Sequence, residues 1–204
     1  MTSSTLALLI TLLVPAIAGG QRSGSTISTG EIFQAIGVRE GITVCEMGAG
    51  DGELTIAAAE LVGPNGRVFT NELGDDRVKA LQKNVSGRTK AQVRVVAGDP
   101  DRTNFPEQAC DALFMRNVYH HFADPARINQ SILAALKPGG RVAVVDFTPP
   151  GPEAGQAADR ARDGTHGVSA ESVSRELLAA GFEPVSSEAG AERWFMVVVA
   201  KPVR

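Results

Sequence analysis

The order of apolar segments in this sequence predicts an α/β fold, a doubly wound parallel sheet with helices on both faces. From residue 29 onward, apolar runs of strand length alternate with helical patterns in which apolar residues recur every three or four positions. This alternation implies parallel strands joined by right-handed helical crossovers. The last two strand-like runs have only a short connection, so they must be antiparallel neighbours, because a parallel crossover needs a dozen or more residues.

The first half of the domain is predicted to hold three helices and three strands. The opening helix is capped by Ser28 or Thr29 and stopped by Gly37. The strand around Val44 follows, and then strands over residues 67–71 and 93–97. The apolar faces predicted for the two helices between these strands are Leu54, Ala57, Ala58 and Leu61 in one, and Val78, Leu81 and Val85 in the other.

The second half is predicted to hold four strands and two helices. The strands cover residues 110–115, 141–147, 182–187 and 194–200. Asp124 followed by Pro125 is a strong helix start, since the first caps the helix and the second needs no N–H there. Ser169 caps the last helix. The inner faces predicted for these helices are Ile128, Ile132 and Leu136 in the first, and Val173, Leu177 and Leu178 in the second.

Length and composition suggest one ordinary globular domain, residues 29–204. The chain has 204 residues, of which 43% are hydrophobic and 21% charged. Its net charge is −3, and its lysines and arginines form no basic stripe. The sequence therefore does not imply a nucleic-acid partner.

The first 28 residues form a separate segment and linker. Residues 6–18 are apolar but too short to span a bilayer comfortably, so no stable transmembrane span is expected. They end in Ala16-Ile17-Ala18 before Gly19, a pattern that resembles a signal-peptidase site, although residues 1–9 contain no Lys or Arg. A cleaved export signal and an uncleaved N-terminal helix both stay open. The first predicts a periplasmic or secreted protein, the second a cytoplasmic one.

The strand around Val44 ends in the glycine-rich turn Glu46-Met47-Gly48-Ala49-Gly50-Asp51-Gly52. A dinucleotide fingerprint would place a third glycine at position 53, where this chain has Glu53. A phosphate-binding Walker loop needs a lysine, and residues 40–66 contain no Lys or Arg. The carboxylates of the turn would repel a pyrophosphate but suit a positively charged ligand. S-adenosyl-L-methionine (SAM), with its sulfonium and ammonium groups, is such a ligand.

This E-x-G-x-G-x-G turn after a strand resembles motif I of the class I SAM-dependent methyltransferases. The resemblance extends over about residues 30–200 and implies a Rossmann-like, seven-stranded sheet of order 3-2-1-4-5-7-6, with the last strand antiparallel. It also implies SAM as cofactor. The methyl acceptor is expected to be a small molecule, since the sequence contains no additional domain for recognising a protein or a nucleic acid. A glycine turn that binds no cofactor is the alternative.

Acidic residues end three consecutive strands, and these ends share one edge of a parallel sheet. The resemblance implies that Glu72 accepts hydrogen bonds from the ribose hydroxyls, Asp99 from the adenine amino group, and that Glu46 lies near the methionyl ammonium. The further cofactor-binding residues that it implies are Gly48, Ala49, Gly50, Gly52, Leu73, Gly98 and Asn117. No metal site is expected.

Histidines are the candidate catalytic bases, because the side chain titrates near neutral pH. His120 and His121 lie in a segment that resembles motif IV of the family, and His166 follows a long Pro/Gly/Ala-rich connection. Each could instead be a packing or surface residue.

Residues 148–168 are longer than an ordinary connection and are a candidate lid over the acceptor; an inert, solvated connection is the alternative.

The two cysteines, Cys45 and Cys110, both lie in strand-like segments. Cys45 is near the end of its strand and Cys110 at the start of another, so parallel strands would offset them by about 10 Å. A disulfide tolerates Cα atoms only up to about 7 Å apart. Two buried free thiols are therefore predicted.

The leading functional hypothesis is a SAM-dependent methyltransferase acting on an oxygen, nitrogen, sulfur or carbon nucleophile. One alternative is a SAM-binding protein without transferase activity, such as a sensor or partner subunit. Another is a nicotinamide-dependent reductase, which the missing third glycine disfavours.

Overall fold

The computed structural model describes residues 27–162 and 166–203, which form one seven-stranded sheet with five α helices. The helices are α1 (Thr29–Ile36), α2 (Glu53–Val62), α3 (Asp75–Val85), α4 (Pro125–Ala135) and α5 (Ala170–Ala179). The strands are β1 (Thr43–Met47), β2 (Arg67–Glu72), β3 (Gln92–Ala97), β4 (Cys110–Arg116), β5 (Leu136–Phe147), β6 (Glu183–Ala189) and β7 (Trp194–Ala200). The predicted export signal in residues 1–18 lies outside the described residues.

The strand order is β3-β2-β1-β4-β5-β7-β6, which confirms the predicted topology. The first five strands pair in parallel, and β7 pairs antiparallel with both β5 and β6. The carboxyl ends of β1 to β5 therefore lie along one edge of the sheet, where a ligand can approach several strand ends at once.

The two faces of the sheet bury separate apolar cores. Val44 points to the face covered by α1 and α2, and Cys45, its neighbour in β1, points to the face covered by α4 and α5. This alternation is the period of two that every strand imposes on its side chains. Helix α3 packs beside α2 in a third cluster around Leu81 and Val85.

Side chains cap the helices at the predicted positions. Ser28 and Glu31 form a capping box at α1, in which each side chain bonds the backbone N–H of the other. The Asp124 side chain accepts from the backbone N–H of Arg127 at the start of α4, and Ser169 caps α5. These caps satisfy N–H groups that have no partner inside the helix.

Three predicted helix faces differ from the observed ones. Helix α2 buries Thr55, Ala58, Ala59 and Val62, so its inner face is rotated by one residue from the predicted set, and Leu61 is exposed. Thr55 is polar, so the apolar pattern did not include it in the inner face of the helix. Its side chain nevertheless faces inward, toward the buried carboxyl group of Glu46. Leu136 belongs to β5 rather than α4, and Leu178 in α5 is exposed rather than inward-facing.

The predicted pair of free thiols is wrong, because Cys45 and Cys110 form a disulfide between β1 and β4. Their Cα atoms are 5.8 Å apart, within the range that a disulfide tolerates. The prediction assumed that β4 is regular from Cys110 onward, whereas its ladder with β1 begins only at Ala112, and its pairing with β5 is irregular between Cys110 and Ala112. Both residues are fully buried, so the bond fixes the two central strands directly below the glycine turn.

Candidate active site

A cavity of about 450 Å³ opens at the carboxyl edge of the sheet, within the size range of small-molecule sites. The glycine turn after β1 forms one wall, the end of β2 another, and the segment after β4 a third. Its lining residues include Met47, Gly48, Gly50, Asn71, Glu72, Leu73, Arg77, Asp99, Pro100, Asn117, Val118, His121, Phe122, Ala123 and Ile128.

The backbone conformation favours glycine at three positions of the turn, and at two of them the space around the Cβ position favours it as well. All three have positive φ, at +66° for Gly48, +54° for Gly50 and +83° for Gly52. A Cβ at Gly48 would lie 2.5 Å from Val118, and one at Gly52 would lie 2.8 Å from both Leu81 and Val85. A Cβ at Gly50 would meet no atom within 4 Å, since it would point into open space. At Gly50, the backbone therefore faces open space in the cavity.

The end of β2 holds the glycine turn in place. The side chain of Asn71 accepts a hydrogen bond of 3.1 Å from the Gly48 amide, and its backbone carbonyl accepts one of 3.0 Å from the Ala49 amide. The Asn71 side-chain amide donates in turn to the carbonyl of Thr103 at 2.8 Å. Asn71 was not predicted as a site residue, although its place before Glu72 at a strand end was visible in the sequence.

The carboxylate of Glu72 is held by backbone donors at the cavity wall. Oε2 accepts from the Gly50 amide at 3.0 Å, and Oε1 accepts from its own neighbour, Leu73, at 3.2 Å. Arg77 Nε lies 3.6 Å from Oε1. Each carboxylate oxygen can accept more than one hydrogen bond, so both retain capacity for a ligand.

Glu46 lies behind the turn rather than in the cavity. It is fully buried, and its carboxyl group is hydrogen-bonded to the hydroxyl of Thr55. Burial raises the pKa of Glu46 from an ordinary value of 4.5 to about 8, against the hydrogen bond from Thr55 and with a further rise from the charge of Glu72. A neutral, buried carboxyl group in this place supports the β1–α2 junction, and its contact with a methionyl ammonium stays a prediction.

Asp99 lies at the far end of the cavity and is half-exposed. Its Oδ2 accepts a hydrogen bond of 3.0 Å from Asn104, and Arg102 Nε lies 3.8 Å away. The preceding Gly98 does not line the cavity, but its amide donates to the Glu72 carbonyl at 3.0 Å and a Cβ there would press on Asn71.

The three candidate histidines come together next to this cavity. His120 and His121 lie in a short 3-10 helix, Tyr119–His121, after β4, and His166 lies where the long connection returns. The ring centroid of His120 lies 4.0 Å from that of His121 and 4.3 Å from that of His166. Of the three, His121 lines the cavity. Burial lowers the pKa of His121, and the nearby His120 and His166 lower it further, which keeps its ring neutral at pH 7.

His120 is paired with Asp146, a residue that the sequence analysis missed. Both side chains are fully buried, and His120 Nδ1 lies 2.9 Å from Asp146 Oδ1. The backbone amide of His120 donates to Oδ2, and that of Phe147 donates to Oδ1. Nε2 of His120 is buried and has no hydrogen-bond partner within residues 27–162 and 166–203. Asp146 was a fourth acidic residue at a strand end, so the criterion that selected Glu72 would have found it.

The described part of the candidate lid, residues 148–162 and 166–168, is largely exposed but is anchored at Arg160. Arg160 is buried and forms ion pairs with Glu153 and with Glu176 on α5. Tyr119 donates to the same Glu176 carboxylate at 3.1 Å. Asp163 lies outside the described residues. The backbone amide of Gly167 donates to the Arg160 carbonyl at 3.3 Å, and the ring of the preceding residue, His166, lies against that of His120.

The structure thus brings Gly48, Gly50, Glu72, Leu73, Asp99, Asn117 and His121 to one cavity. Ala49, Gly52, Gly98 and Glu46 support its walls without lining it.

Among the described residues, no group of three or more His, Cys, Asp or Glu side chains has an arrangement that could hold a metal ion. Over the same residues, every helix is too short or too polar to cross a bilayer.

Comparison with known proteins agrees with this geometry. Residues 45–144 match the family model of a methyltransferase domain. The ubiquinone/menaquinone biosynthesis C-methyltransferase UbiE of Ectopseudomonas mendocina is 37% identical over 124 residues, which are 56% of this chain and 45% of that protein. The chain therefore spans about half the length of that relative.

Solved structures share the fold at low sequence identity. A SAM-dependent methyltransferase from Aquifex aeolicus superposes with a TM-score of 0.72 at 20% identity, over 85% of this chain and 89% of that one. The cyclase SpnF superposes with a TM-score of 0.74 at 19% identity, over 86% of this chain and 81% of that one. The domain match, the strand order and the glycine turn lead to one conclusion: residues 45–144 are a methyltransferase domain, and the chain has the fold of the class I SAM-dependent methyltransferases.

Proposed function

We propose that the protein transfers the methyl group of SAM to a small-molecule acceptor bound at the carboxyl edge of the sheet. The observation that carries the proposal is the position of Glu72 beside Gly50 in the cavity wall. A fixed carboxylate next to bare backbone suits a ligand that offers two vicinal hydroxyl donors at close range, as the ribose of SAM does.

The remaining lining residues fit the rest of the cofactor. Asp99 offers a carboxylate to the adenine amino group, and Ile128 offers an apolar surface to its ring. At the opposite end, Gly48, Asn117 and His121 surround the space for the methionyl group. Asn117 has a φ of +61°, a conformation that asparagine tolerates better than most residues. This orientation presents the sulfonium methyl toward the histidines.

The acceptor is proposed to be a small organic molecule. A curated relative is named as a C-methyltransferase of ubiquinone and menaquinone biosynthesis, which supports this class of acceptor. Methyl transfer is an in-line displacement, in which the nucleophile attacks the methyl carbon and the bond to sulfur breaks. Alignment of the two reactants and exclusion of water can provide much of the rate enhancement.

Mass spectrometry of the purified protein for co-bound SAM or S-adenosylhomocysteine (SAH) tests the cofactor. Transfer of an isotope-labelled methyl group from SAM to components of a metabolite extract then tests the reaction. We expect bound cofactor and at least one labelled product. A protein that carries neither molecule, and shows no affinity for SAM in calorimetry, would contradict the proposal.

A SAM-binding protein without methyl transfer is the second candidate. The similarity to SpnF supports this candidate, because SpnF has the same fold and is named as a cyclase. The two candidates differ in one result: the second predicts tight SAM binding with no labelled product from any fraction of the extract.

A further inference from the structure

The pair of Asp146 and His120 has a chemical capacity that cofactor binding does not use. His120 Nε2 is buried without a hydrogen-bond partner among the described residues. Leaving a buried polar atom unpaired destabilises the folded protein. Such a cost is commonly retained where a ligand supplies the missing partner during function.

The tautomer of His120 follows from its neighbour. A carboxylate only accepts hydrogen bonds, so Asp146 Oδ1 at 2.9 Å requires a proton on Nδ1 of His120. In a neutral ring, Nε2 then carries the free lone pair. Asp146 also stabilises the imidazolium that forms when Nε2 takes up a proton, as the aspartate does in a Ser-His-Asp triad.

The surroundings of His120 form a continuous strip of rings along the carboxyl edge. The strip begins at His121 in the cofactor cavity, passes His120 and His166, and continues through Phe147 to Trp194, with centroid separations of 4.0 to 5.4 Å between successive rings. His166 is exposed, so its side chain can turn aside at the cost of ring contacts alone. Successive rings are tilted by 30 to 68° to one another, so an aromatic molecule can stack on an individual exposed ring of the strip rather than on one common face.

Resting on the function proposed above, we infer that His120, positioned by Asp146, is the proton acceptor for a phenolic methyl acceptor that stacks on this strip. The phenol oxygen attacks the methyl carbon of SAM while the carbon–sulfur bond breaks and its electron pair stays on sulfur, giving SAH. The phenol proton passes to His120 Nε2 and is later released to solvent. An imidazole suits a phenol, whose pKa is near 10 like that of tyrosine, far better than an aliphatic alcohol.

The test uses 4-nitrophenol, whose ionised form has its own absorption band, with the complex of the full-length protein and SAH. We expect the bound probe to ionise at a pH at least one unit lower than the free probe, a tenfold shift of the equilibrium. His120→Phe should keep SAH affinity in calorimetry but abolish this shift. The matched ligand control is 4-nitroanisole, which stacks equally well but has no hydroxyl, so its affinity should not change in the variant.

Asp146→Asn provides a second variant if His120→Phe does not fold. It removes the carboxylate that fixes the tautomer, so the shift should shrink while SAH affinity stays the same. If the protein binds SAH but the ionisation of 4-nitrophenol is unchanged, or neither probe binds, the inference is overturned while the proposed function stands. If SAH itself does not bind, the proposed function fails, and this inference with it.

Discussion

The Gly50 amide donates a 3.0 Å hydrogen bond to Glu72 Oε2, joining the glycine turn after β1 to the end of β2. Two residues that are 22 positions apart in sequence thereby join two walls of the cavity. The bond orients the carboxylate before any ligand arrives, so a cofactor need not order that side chain on binding.

Replacing Glu72 with alanine is expected to weaken SAM binding by about 2 to 3 kcal/mol, the scale for hydrogen bonds to a charged acceptor. Isothermal titration calorimetry measures this loss. Glu60→Ala removes an exposed carboxylate from α2 and is the matched control, with no expected effect on affinity. Equal affinities in folded Glu72→Ala and wild-type protein would place the ribose elsewhere.

Gly50→Val is expected to abolish SAM binding, because its side chain would project into the space that the cofactor occupies. Gly87→Val is a matched control, since Gly87 also has positive φ, at +70°, and open space around its Cβ position, but lies outside the cavity. The two substitutions introduce a similar backbone strain, because both place a β-branched residue at a positive φ. Calorimetry should show binding by the Gly87 variant alone; binding by both would remove the glycine turn from the cofactor site.

Glu46 should make the protein less stable as pH rises from about 5 to 8. Its pKa is raised to about 8 in the folded state, whereas the unfolded carboxyl group ionises near 4.5. Between these values the folded state binds one more proton, so the free energy of unfolding falls by up to about 1.4 kcal/mol per pH unit. Urea unfolding at pH 5.5 and 8 measures this change.

The matched variant for that experiment is Glu46→Gln, which keeps the shape of the neutral carboxyl group and removes its titration. Its stability should depend less on pH than that of the wild type, and it should be the more stable of the two at pH 8. Parallel pH profiles for the two proteins would mean that Glu46 is ionised in the fold.

Reducing the disulfide between Cys45 and Cys110 should destabilise the protein. Its sequence separation of 65 residues corresponds to about 4 kcal/mol in the chain-entropy model. Guanidinium unfolding with and without reductant measures the difference, and the Cys45→Ala/Cys110→Ala double variant should not respond to reductant. Two thiols that react with iodoacetamide in denatured, unreduced protein would show that the bond is absent.

The topology was predictable because each element carries a local signal. Apolar periodicity, the Asp124-Pro125 cap and the short connection before β7 together specified the layers and the antiparallel strand. The disulfide was not predictable, because Cys110 precedes the regular ladder between β1 and β4, and no sequence pattern revealed that irregular start of β4. Thr55 misled the assignment of the inner face of α2 for a similar reason, since its buried partner, Glu46, comes from another element.

The candidate site was predictable where a single residue type at a strand end defines the role. Glu72, Asp99 and the glycines met that condition, and the structure places Gly48, Gly50, Glu72 and Asp99 around one cavity. Glu46 also lies at a strand end, but its side chain points under α2, toward Thr55. The position of a residue at a strand end does not specify the direction of its side chain. The pairing of His120 with Asp146 could be found only from the structure, because it joins the segment after β4 to the end of β5.

A crystal structure of the protein with SAH is the most direct test of the central claim, that the cavity between the glycine turn and the end of β2 holds SAM. We expect both ribose hydroxyls within hydrogen-bond distance of the Glu72 carboxylate, the adenine beside Asp99, and the sulfur directed toward His121. SAH bound with its ribose away from Glu72, or outside this cavity, would contradict the proposed cofactor site.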